Sequence, residues 1–292
     1  MCAEVSVMKA STKIKAVLQI FRPELPLAAG LCVLIGELLA LRRFPPPAAW
    51  VPGFACGFLL SASALIFNDY FDVDVDRVNA PQRPLPSGRL TPGEVLALGA
   101  VVTLAGFAAA WALNPLAFGV SVLVWLSGFL YNWKLKSAGL WGNLIVAFSV
   151  GMTFVLGGIG AGQAWNGTVW VFGLIALVFD LGEEIAADAM DAAGDQMRAS
   201  RSFAIVSGRR AALRLAAALF GLVIVLTFVP LVWGGLDTVY LLAALAIDLL
   251  IAFFTVRLLR SRTDAAGRAA IRGLYLSASL GLLAFVVGSL IR

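Results

Sequence analysis

The chain has 292 residues, of which 61% are hydrophobic and 13% are charged. Soluble proteins carry about 25% charged residues, so this composition excludes a water-soluble fold and indicates a membrane protein. The sequence has no histidine and three cysteines, Cys2, Cys32 and Cys56, without paired spacing. A disulfide framework, a zinc site and histidine-dependent catalysis are therefore not expected.

The apolar runs of the chain predict an all-α, polytopic bundle of nine transmembrane helices. Residues 1–21 combine lysines with apolar side chains, which predicts a short interfacial helix and not a cleavable signal peptide. The runs that follow are long enough to cross about 30 Å of hydrocarbon. Tight hairpins are predicted at Asn114-Pro115 and at Gly234-Gly235. The predicted spans are residues 24–41, 47–67, 92–113, 115–131, 141–161, 167–185, 211–233, 237–259 and 270–291.

Lysine and arginine are distributed unevenly between the two sides of these spans. With a cytoplasmic N-terminus, 19 of the 22 basic residues fall on the cytoplasmic side, and only Arg42, Arg43 and Arg292 fall opposite. This bias predicts a multi-pass plasma-membrane protein whose N-terminus is cytoplasmic. Anionic membrane lipids, and not nucleic acid, then account for the net charge of +5.

Nine of the 17 acidic residues lie in two short windows, at the cytoplasmic ends of the second and sixth predicted spans. At 100° per residue, most members of each window share one narrow arc of a helix. Asp74 points away from the first arc, and Asp180 lies one turn deeper than the second. The first acidic row comprises Asn68, Asp69, Asp72 and Asp76, and the second acidic row comprises Glu184, Asp188, Asp191 and Asp195.

Carboxylates packed on one helical face repel each other, and this cost grows at the edge of a low-dielectric membrane. A bound cation would remove the repulsion. Mg²⁺ takes oxygen ligands and bridges protein carboxylates to substrate phosphate. We therefore expect one Mg²⁺ at each row, with a diphosphate between the two rows. Glu37 and Asp248, which lie inside spans, are expected to face the bundle interior or a cavity. The sequence assigns no role to either residue or to Asp180.

Three segments resemble motifs of the UbiA superfamily of intramembrane prenyltransferases. Residues 68–76 (NDYFDVDVD) resemble its NDxxDxxxD motif, residues 184–195 its ExxxDxxDxxGD motif, and residues 131–136 (YNWKLK) its tyrosine and lysine motif. The RPLPSG loop and the form of the second motif are most similar to the branch of geranylgeranylglycerol-phosphate geranylgeranyltransferases and chlorophyll synthases. The resemblance implies one prenyltransferase domain over residues 1–292, with cytoplasmic motif regions at 68–91 and 184–209.

The resemblance also implies a reaction. A geranylgeranyl chain would pass from its diphosphate to a membrane-associated acceptor such as a glycerol-phosphate lipid, with Mg²⁺ held by both acidic rows. Tyr131 and Asn132 would orient the diphosphate or the acceptor. The catalytic residues would be Asp69, Asp72, Asp188 and Asp191. Basic residues of the same loops fit a diphosphate-binding role, although positive-inside topology explains them equally well: Arg83, Arg89, Lys134, Lys136, Arg198 and Arg201.

Other interpretations stay open. A terpene cyclase would ionise the same diphosphate without an acceptor. A cation or proton-coupled transporter fits less well, because transporters place their key charges near the bilayer midplane. The alternation of acidic and basic motifs suggests a parallel repeat of four helices, followed by a ninth. Small residues of the second and fifth spans are interpreted as helix-packing positions in preference to the lining of a prenyl tunnel. The acceptor, the prenyl length and the oligomeric state are not specified.

Overall fold

The computed structural model describes residues 13–196, 201–232 and 238–290, with side chains described except at 192–196 and 284–290. The described residues are mainly helical, and none of them lies in a strand. The helices form two compact units. Unit 1 is Met1–Leu34 with Pro46–Trp133, and unit 2 is Ile35–Pro45 with Lys134–Arg292.

Unit 1 carries the first acidic row. Proline occupies the start of three of its helices, where the missing N–H costs no intrahelical bond. A π-helical turn, Tyr131–Leu135, follows the last of them and continues into unit 2. The elements of unit 1 are α1 (residues 13–21), the first half of α2 (Glu24–Leu41), α3 (Pro47–Phe71), α4 (Val73–Asn79), α5 (Pro92–Leu113) and α6 (Pro115–Leu130).

The helix α1 is amphipathic, and it packs into the core of unit 1. Ala16 and Ile20 are fully buried in an apolar cluster with residues of α3, α5 and the loop before α5. Ile14 and Leu18 are 62% and 64% exposed on the other side of the helix. The described part of the predicted interfacial segment therefore both packs on the bundle and presents an apolar surface. Residues 1–12 lie outside the described residues.

Unit 2 carries the second acidic row. The predicted seventh span, 211–233, is divided in the structure, because Pro230 has no N–H to donate to the carbonyl of Leu226, where α10 ends. The Gly234-Gly235 hairpin lies outside the described residues. Besides the end of α2, its helices are α7 (Leu140–Gly160), α8 (Gly167–Gln196), α9 (Phe203–Ser207), α10 (Arg209–Leu226), α11 (Val229–Val232), α12 (Thr238–Leu259) and α13 (Asp264–Leu290).

Close helix packing accounts for Gly151 in the fifth span. A methyl group added at Gly151 of α7 would lie 2.6 Å from the carbonyl oxygen of Gly173 of α8, and one added at Gly173 would lie 2.9 Å from the carbonyl oxygen of Gly151. The two backbones therefore touch, as small residues permit in membrane helices. This contact holds α7 against the helix that carries the second acidic row.

Seven helical segments within the described residues are long and apolar enough to cross a membrane, when α6 is counted with the π-helical turn and α10 with α11. They agree with seven of the predicted spans to within a few residues. The segments that end at Phe71 and Leu135 each run four residues beyond the predicted end. The chain is therefore a multi-pass membrane protein. The other two predicted spans, 167–185 and 270–291, fall within α8 and α13.

Candidate active site

The first acidic row stays on one helical face although α3 ends within it. Asp72 adopts φ −89° and ψ 3° and separates α3 from α4. The helical hydrogen bonds continue through this point. The N–H of Asp72 donates to the backbone carbonyl of Asn68 (2.9 Å), and the N–H of Asp76 donates to the backbone carbonyl of Asp72 (2.8 Å). The spacing of the row is thereby preserved.

Burial separates the members of the first window. Asp69 and Asp76 are 2% and 5% exposed, and Asn68 and Asp72 are half-buried. Asp74 is predicted to point away from the arc that the other acids share. Its side chain is 83% exposed and pairs with the exposed Arg77. The two most deeply buried carboxylates of this window therefore need a partner inside the protein.

Two arginines provide that partner. Arg22 forms an ion pair with Asp69. Arg83 contacts both buried carboxylates, at 3.5 Å from Asp69 and 2.6 Å from Asp76. Arg22 lies between α1 and α2 with a φ of 41°, a left-handed backbone conformation that a non-glycine residue adopts only at a cost. The structure thus gathers two guanidinium groups and two buried carboxylates at the end of α3.

The remaining basic and polar candidates of unit 1 lie close by along the chain. Arg89 folds back onto its own loop, where it donates to Ser87 (2.9 Å) and to the carbonyl of Gln82. Asn132 is buried and donates to the carbonyl of Ala64 on α3 (3.0 Å), while Tyr131 is half-buried. Asn132 therefore ties the π-helical turn to α3 one helical turn before the acidic row. Such turns often occur at functional sites.

In unit 2, the second acidic row lies on α8, which extends well beyond the predicted end of the sixth span. Asn143 of α7 donates to the Oδ2 of Asp188 (2.9 Å), and Arg268 of α13 forms an ion pair with Asp191. Lys136 interacts electrostatically with Glu184. The backbone of Asp195 is helical, but its side chain lies outside the described residues.

Further acidic side chains lie deeper in the same unit. Asp180 is 9% exposed, and its Oδ2 has no hydrogen-bond partner among the described residues. Glu183 accepts a hydrogen bond from the hydroxyl of Tyr275 (3.3 Å). Glu37 and Asp248 are buried, as expected for acids inside spans. Asp248 accepts a hydrogen bond from Thr227 (2.8 Å).

The donor chemistry of both rows fits Mg²⁺. Carboxylate and amide oxygens are the ligands that this ion prefers, and the sequence has no histidine. Within the described residues, no three acidic or cysteine side chains converge on one point at metal-binding distance. Arginines and an asparagine contact the carboxylates instead, so ion binding would require an exchange of partners.

Several residues that contact the acidic side chains were not predicted from the sequence. Arg22, Asn143, Arg268 and Tyr275 were not predicted, because each reaches an acid at least 45 residues away along the chain. Lys134 and Arg201 are exposed. Arg198 lies outside the described residues.

Comparison with known proteins connects this geometry to one family. The model of the UbiA prenyltransferase family matches residues 29–287. The digeranylgeranylglyceryl phosphate synthase of Thermococcus kodakarensis is 32% identical over 279 residues, which cover 95% of this chain and 99% of the relative.

Two solved structures share the fold. A structure from a study of digeranylgeranylglyceryl phosphate synthase in membranes superposes with a TM-score of 0.82 and 27% identity, covering 96% of this chain and 99% of the other. A UbiA homologue from Archaeoglobus fulgidus bound to DMAPP and Mg²⁺ superposes with a TM-score of 0.67 and 18% identity, covering 93% and 99%.

Proposed function

The chain belongs to the UbiA prenyltransferase family, and from this premise we propose that it transfers a geranylgeranyl chain from its diphosphate to a glycerol-phosphate lipid in the membrane. The name of the T. kodakarensis relative supports this choice, because its product carries two geranylgeranyl groups on one glyceryl phosphate. The acceptor would then carry one such chain already. Diphosphate is the second product.

The observation that carries the proposal is the set of buried carboxylates at the end of α3. Asp69 and Asp76 are held by Arg22 and Arg83, so a strongly charged polar group is maintained at the end of an apolar helix. Maintaining buried charge is costly, and membrane proteins retain such groups mainly where they act. A magnesium diphosphate supplies cations for the carboxylates and an anion for the arginines, so it fits both halves of this set.

We propose Mg²⁺ as the cofactor, as in the A. fulgidus homologue. When bound, Mg²⁺ neutralises charge on the departing diphosphate and so favours cleavage of the allylic carbon–oxygen bond. Asp69, Asp72, Asp188 and Asp191 would be the catalytic ligands. One ion would be held by Asn68, Asp69, Asp72 and Asp76, and the other by Glu184, Asp188, Asp191 and Asp195.

The other polar residues would bind and orient the substrates. The hydrogen bond from Asn143 would hold one oxygen of Asp188 in place. Tyr131 and Asn132 would orient the diphosphate or the acceptor. Basic side chains would bind the diphosphate oxygens through charge-assisted hydrogen bonds. They are Arg83, Arg89, Lys134, Lys136, Arg198 and Arg201.

The architecture that we propose around this chemistry has nine spans, in which α8 and α13 join the seven apolar helices. The whole chain would act as one prenyltransferase domain in the plasma membrane, with the N-terminus and both motif regions, 68–91 and 184–209, on the cytoplasmic side. The asymmetry of lysine and arginine supports this orientation. A parallel repeat of four helices is part of the same proposal.

A substrate matrix tests the function. Purified protein is given prenyl diphosphates of several lengths with Mg²⁺, each with glycerol-phosphate lipids, quinone precursors or porphyrinoid alcohols, and each without acceptor. We expect diphosphate release that requires a glycerol-phosphate lipid and is greatest with geranylgeranyl diphosphate. A terpene formed without any acceptor would instead establish a cyclase.

Substitutions at two proposed metal ligands, compared with one at a neighbouring exposed acid, test whether the ligands are required for activity. Asp72→Ala and Asp188→Ala should each abolish Mg²⁺-dependent diphosphate release. Asp74→Ala is the matched control, because Asp74 belongs to the same window but is exposed. Activity that survives both ligand substitutions would refute the enzymatic mechanism.

A further inference from the structure

A cavity of 480 Å³ lies where α12 meets α13 in unit 2. It contains none of the residues of the two acidic rows. Its walls include an aromatic and an aliphatic side chain from the last turns of α12, two hydroxyl groups from the connecting loop, and three guanidinium groups. The lining residues used below are Phe253, Val256, Arg257, Arg260, Arg262 and Thr263.

The charge of this cavity is unbalanced. Arg257, Arg260 and Arg262 form no ion pair within the part of the chain that the structure describes. Two neighbouring arginines do have partners, since Arg268 pairs with Asp191 and Arg209 lies 3.7 Å from Asp264. The three arginines of the cavity are therefore available for an external anion. Arginine is well suited to phosphate, which it binds through two parallel hydrogen bonds.

The loop that carries Arg260 and Arg262 is held in place before any ligand arrives. Arg209 of α10 donates to the carbonyl of Ser261 at 2.8 Å. The hydroxyl of Thr263 accepts the N–H of Ala266 at 3.2 Å and so caps α13. A loop that is already ordered loses less conformational entropy when it binds a ligand.

One of the arginines is positioned by aromatic rings. The guanidinium of Arg257 lies 5.9 Å from the ring centre of Phe253 and 6.0 Å from that of Phe254, within the range of cation–π attraction. This contact keeps the Arg257 charge at the boundary between the polar loop and the apolar surface of α12.

The surface of α12 below the cavity is apolar and exposed. Leu249, Phe253 and Val256 are 72%, 55% and 45% exposed, on a helix that is long and apolar enough to span the membrane. A ligand that places a phosphate among the arginines and a hydrocarbon chain along these side chains would match both parts. Free phosphate would match only the first part.

We infer that this cavity is a binding site for the phosphate headgroup of an anionic membrane lipid, whose hydrocarbon chain lies along α12. The Arg268–Asp191 pair places the start of α13 at the same end of unit 2 as the second acidic row. The lipid would therefore bind beside the row but without using its residues. The inference does not depend on the proposed reaction.

The test compares two triple variants of the full-length protein by native mass spectrometry. Arg257→Gln, Arg260→Gln and Arg262→Gln are combined in one variant, and Arg210→Gln, Arg214→Gln and Arg272→Gln in the control. The control arginines are also exposed, lie in the same unit and form no ion pair within the described residues. The probes are phosphatidylglycerol, phosphatidylcholine and inorganic phosphate.

We expect the cavity variant to lose about tenfold or more in affinity for phosphatidylglycerol, because it lacks the guanidinium groups that would bind the phosphate through parallel hydrogen bonds. The control variant should change less than about twofold. Equal losses in both variants, equal binding of phosphatidylcholine, or full displacement of the lipid by inorganic phosphate would each overturn the inference. Arg260→Gln alone, which removes one exposed side chain, should give a smaller loss and keeps the test valid if the triple variant fails to fold.

Discussion

At the scale of single residues, Arg22 and Arg83 stabilise the buried carboxylates of unit 1 when no metal ion is bound. The side chains of Asp69 and Asp76 are 3% and 7% exposed, and Arg83 contacts both. Removing one partner of a buried pair costs about 3–5 kcal/mol. Arg83 is itself about a third exposed, and Arg22 still pairs with Asp69. We therefore expect Arg83→Ala to lower the free energy of unfolding by less than this, about 2 kcal/mol. The measurement is thermal unfolding in detergent with a chelator, where the midpoint should fall by several degrees.

The control for this prediction is Arg77→Ala. Arg77 pairs with Asp74 at 2.6 Å, but both side chains are largely exposed, and such pairs contribute about 0–1 kcal/mol. Added Mg²⁺ should restore much of the stability that Arg83→Ala loses, because the ion replaces the missing positive charge. If both variants unfolded at the same temperature with the chelator, the arginine would not be balancing buried charge.

Asn143 is a positioning residue of the second acidic row. Its amide donates to Asp188, and a hydrogen bond to a charged group contributes about 1.5–3 kcal/mol. Asn143→Ala should therefore lower kcat/KM for prenyl transfer by about tenfold or more. It should also raise the Mg²⁺ concentration needed for half-maximal activity. Asn143→Asp should be worse, because it places a second negative charge beside Asp188.

Ser149→Ala is the control on the same helix, since the Ser149 hydroxyl donates to the Ile145 carbonyl of its own helix (2.9 Å). This variant should keep both the activity and the Mg²⁺ requirement. A loss of activity in Asn143→Ala with an unchanged Mg²⁺ requirement would mean that Asn143 acts on folding alone, and the positioning role would be wrong.

Helical periodicity predicted much of the residue-scale pattern but not its partners. The 100° rotation per residue separates the exposed Asp74 from the buried Asp69 and Asp76, as the structure has it. The contacts of Arg22 and Asn143 could not be predicted, because they depend on which helices pack together. A single sequence contains no signal for a pair of residues 47 or 45 positions apart.

At the scale of elements, the contact between α7 and α8 determines where Asn143 lies relative to Asp188. A methyl group at Gly173 would come within 2.9 Å of a backbone oxygen, so the helices must move apart. Overpacking of this kind costs about 1–3 kcal/mol. Gly173→Ala should therefore lower both the thermal midpoint and the activity, measured on the same preparation.

The matched control is Gly119→Ala on α6, where an added methyl group meets no atom within 4 Å. Alanine is favoured over glycine in a helix by about 1 kcal/mol, so this variant should be as stable as the parent or slightly more stable. Equal activity in both glycine variants would show that the spacing of α7 and α8 does not matter to the site.

Helix boundaries were predicted well where proline marks them and poorly where backbone bonds are rearranged. The starts of α3, α5 and α6 coincide with Pro47, Pro92 and Pro115. The π-helical turn and the separation of α10 from α11 were not predicted, because an apolar composition does not indicate which backbone N–H groups and carbonyls form hydrogen bonds. Pro230 was the visible signal for the second of these.

At the scale of the whole molecule, the charge distribution predicts a single orientation in the membrane. Nineteen of the 22 basic residues would lie on the cytoplasmic side, and basic loops resist translocation. Arg43 lies in the loop before α3, whereas Asp74 lies at the start of α4, just after α3 ends. Both residues are exposed. In a background where all three cysteines are replaced by serine, Arg43→Cys should react with a membrane-impermeant maleimide in intact cells. Asp74→Cys should react only after the cells are opened. Since α3 alone separates the two positions, opposite labelling also requires that α3 crosses the bilayer, and the reverse pattern would place the first acidic row outside the cell.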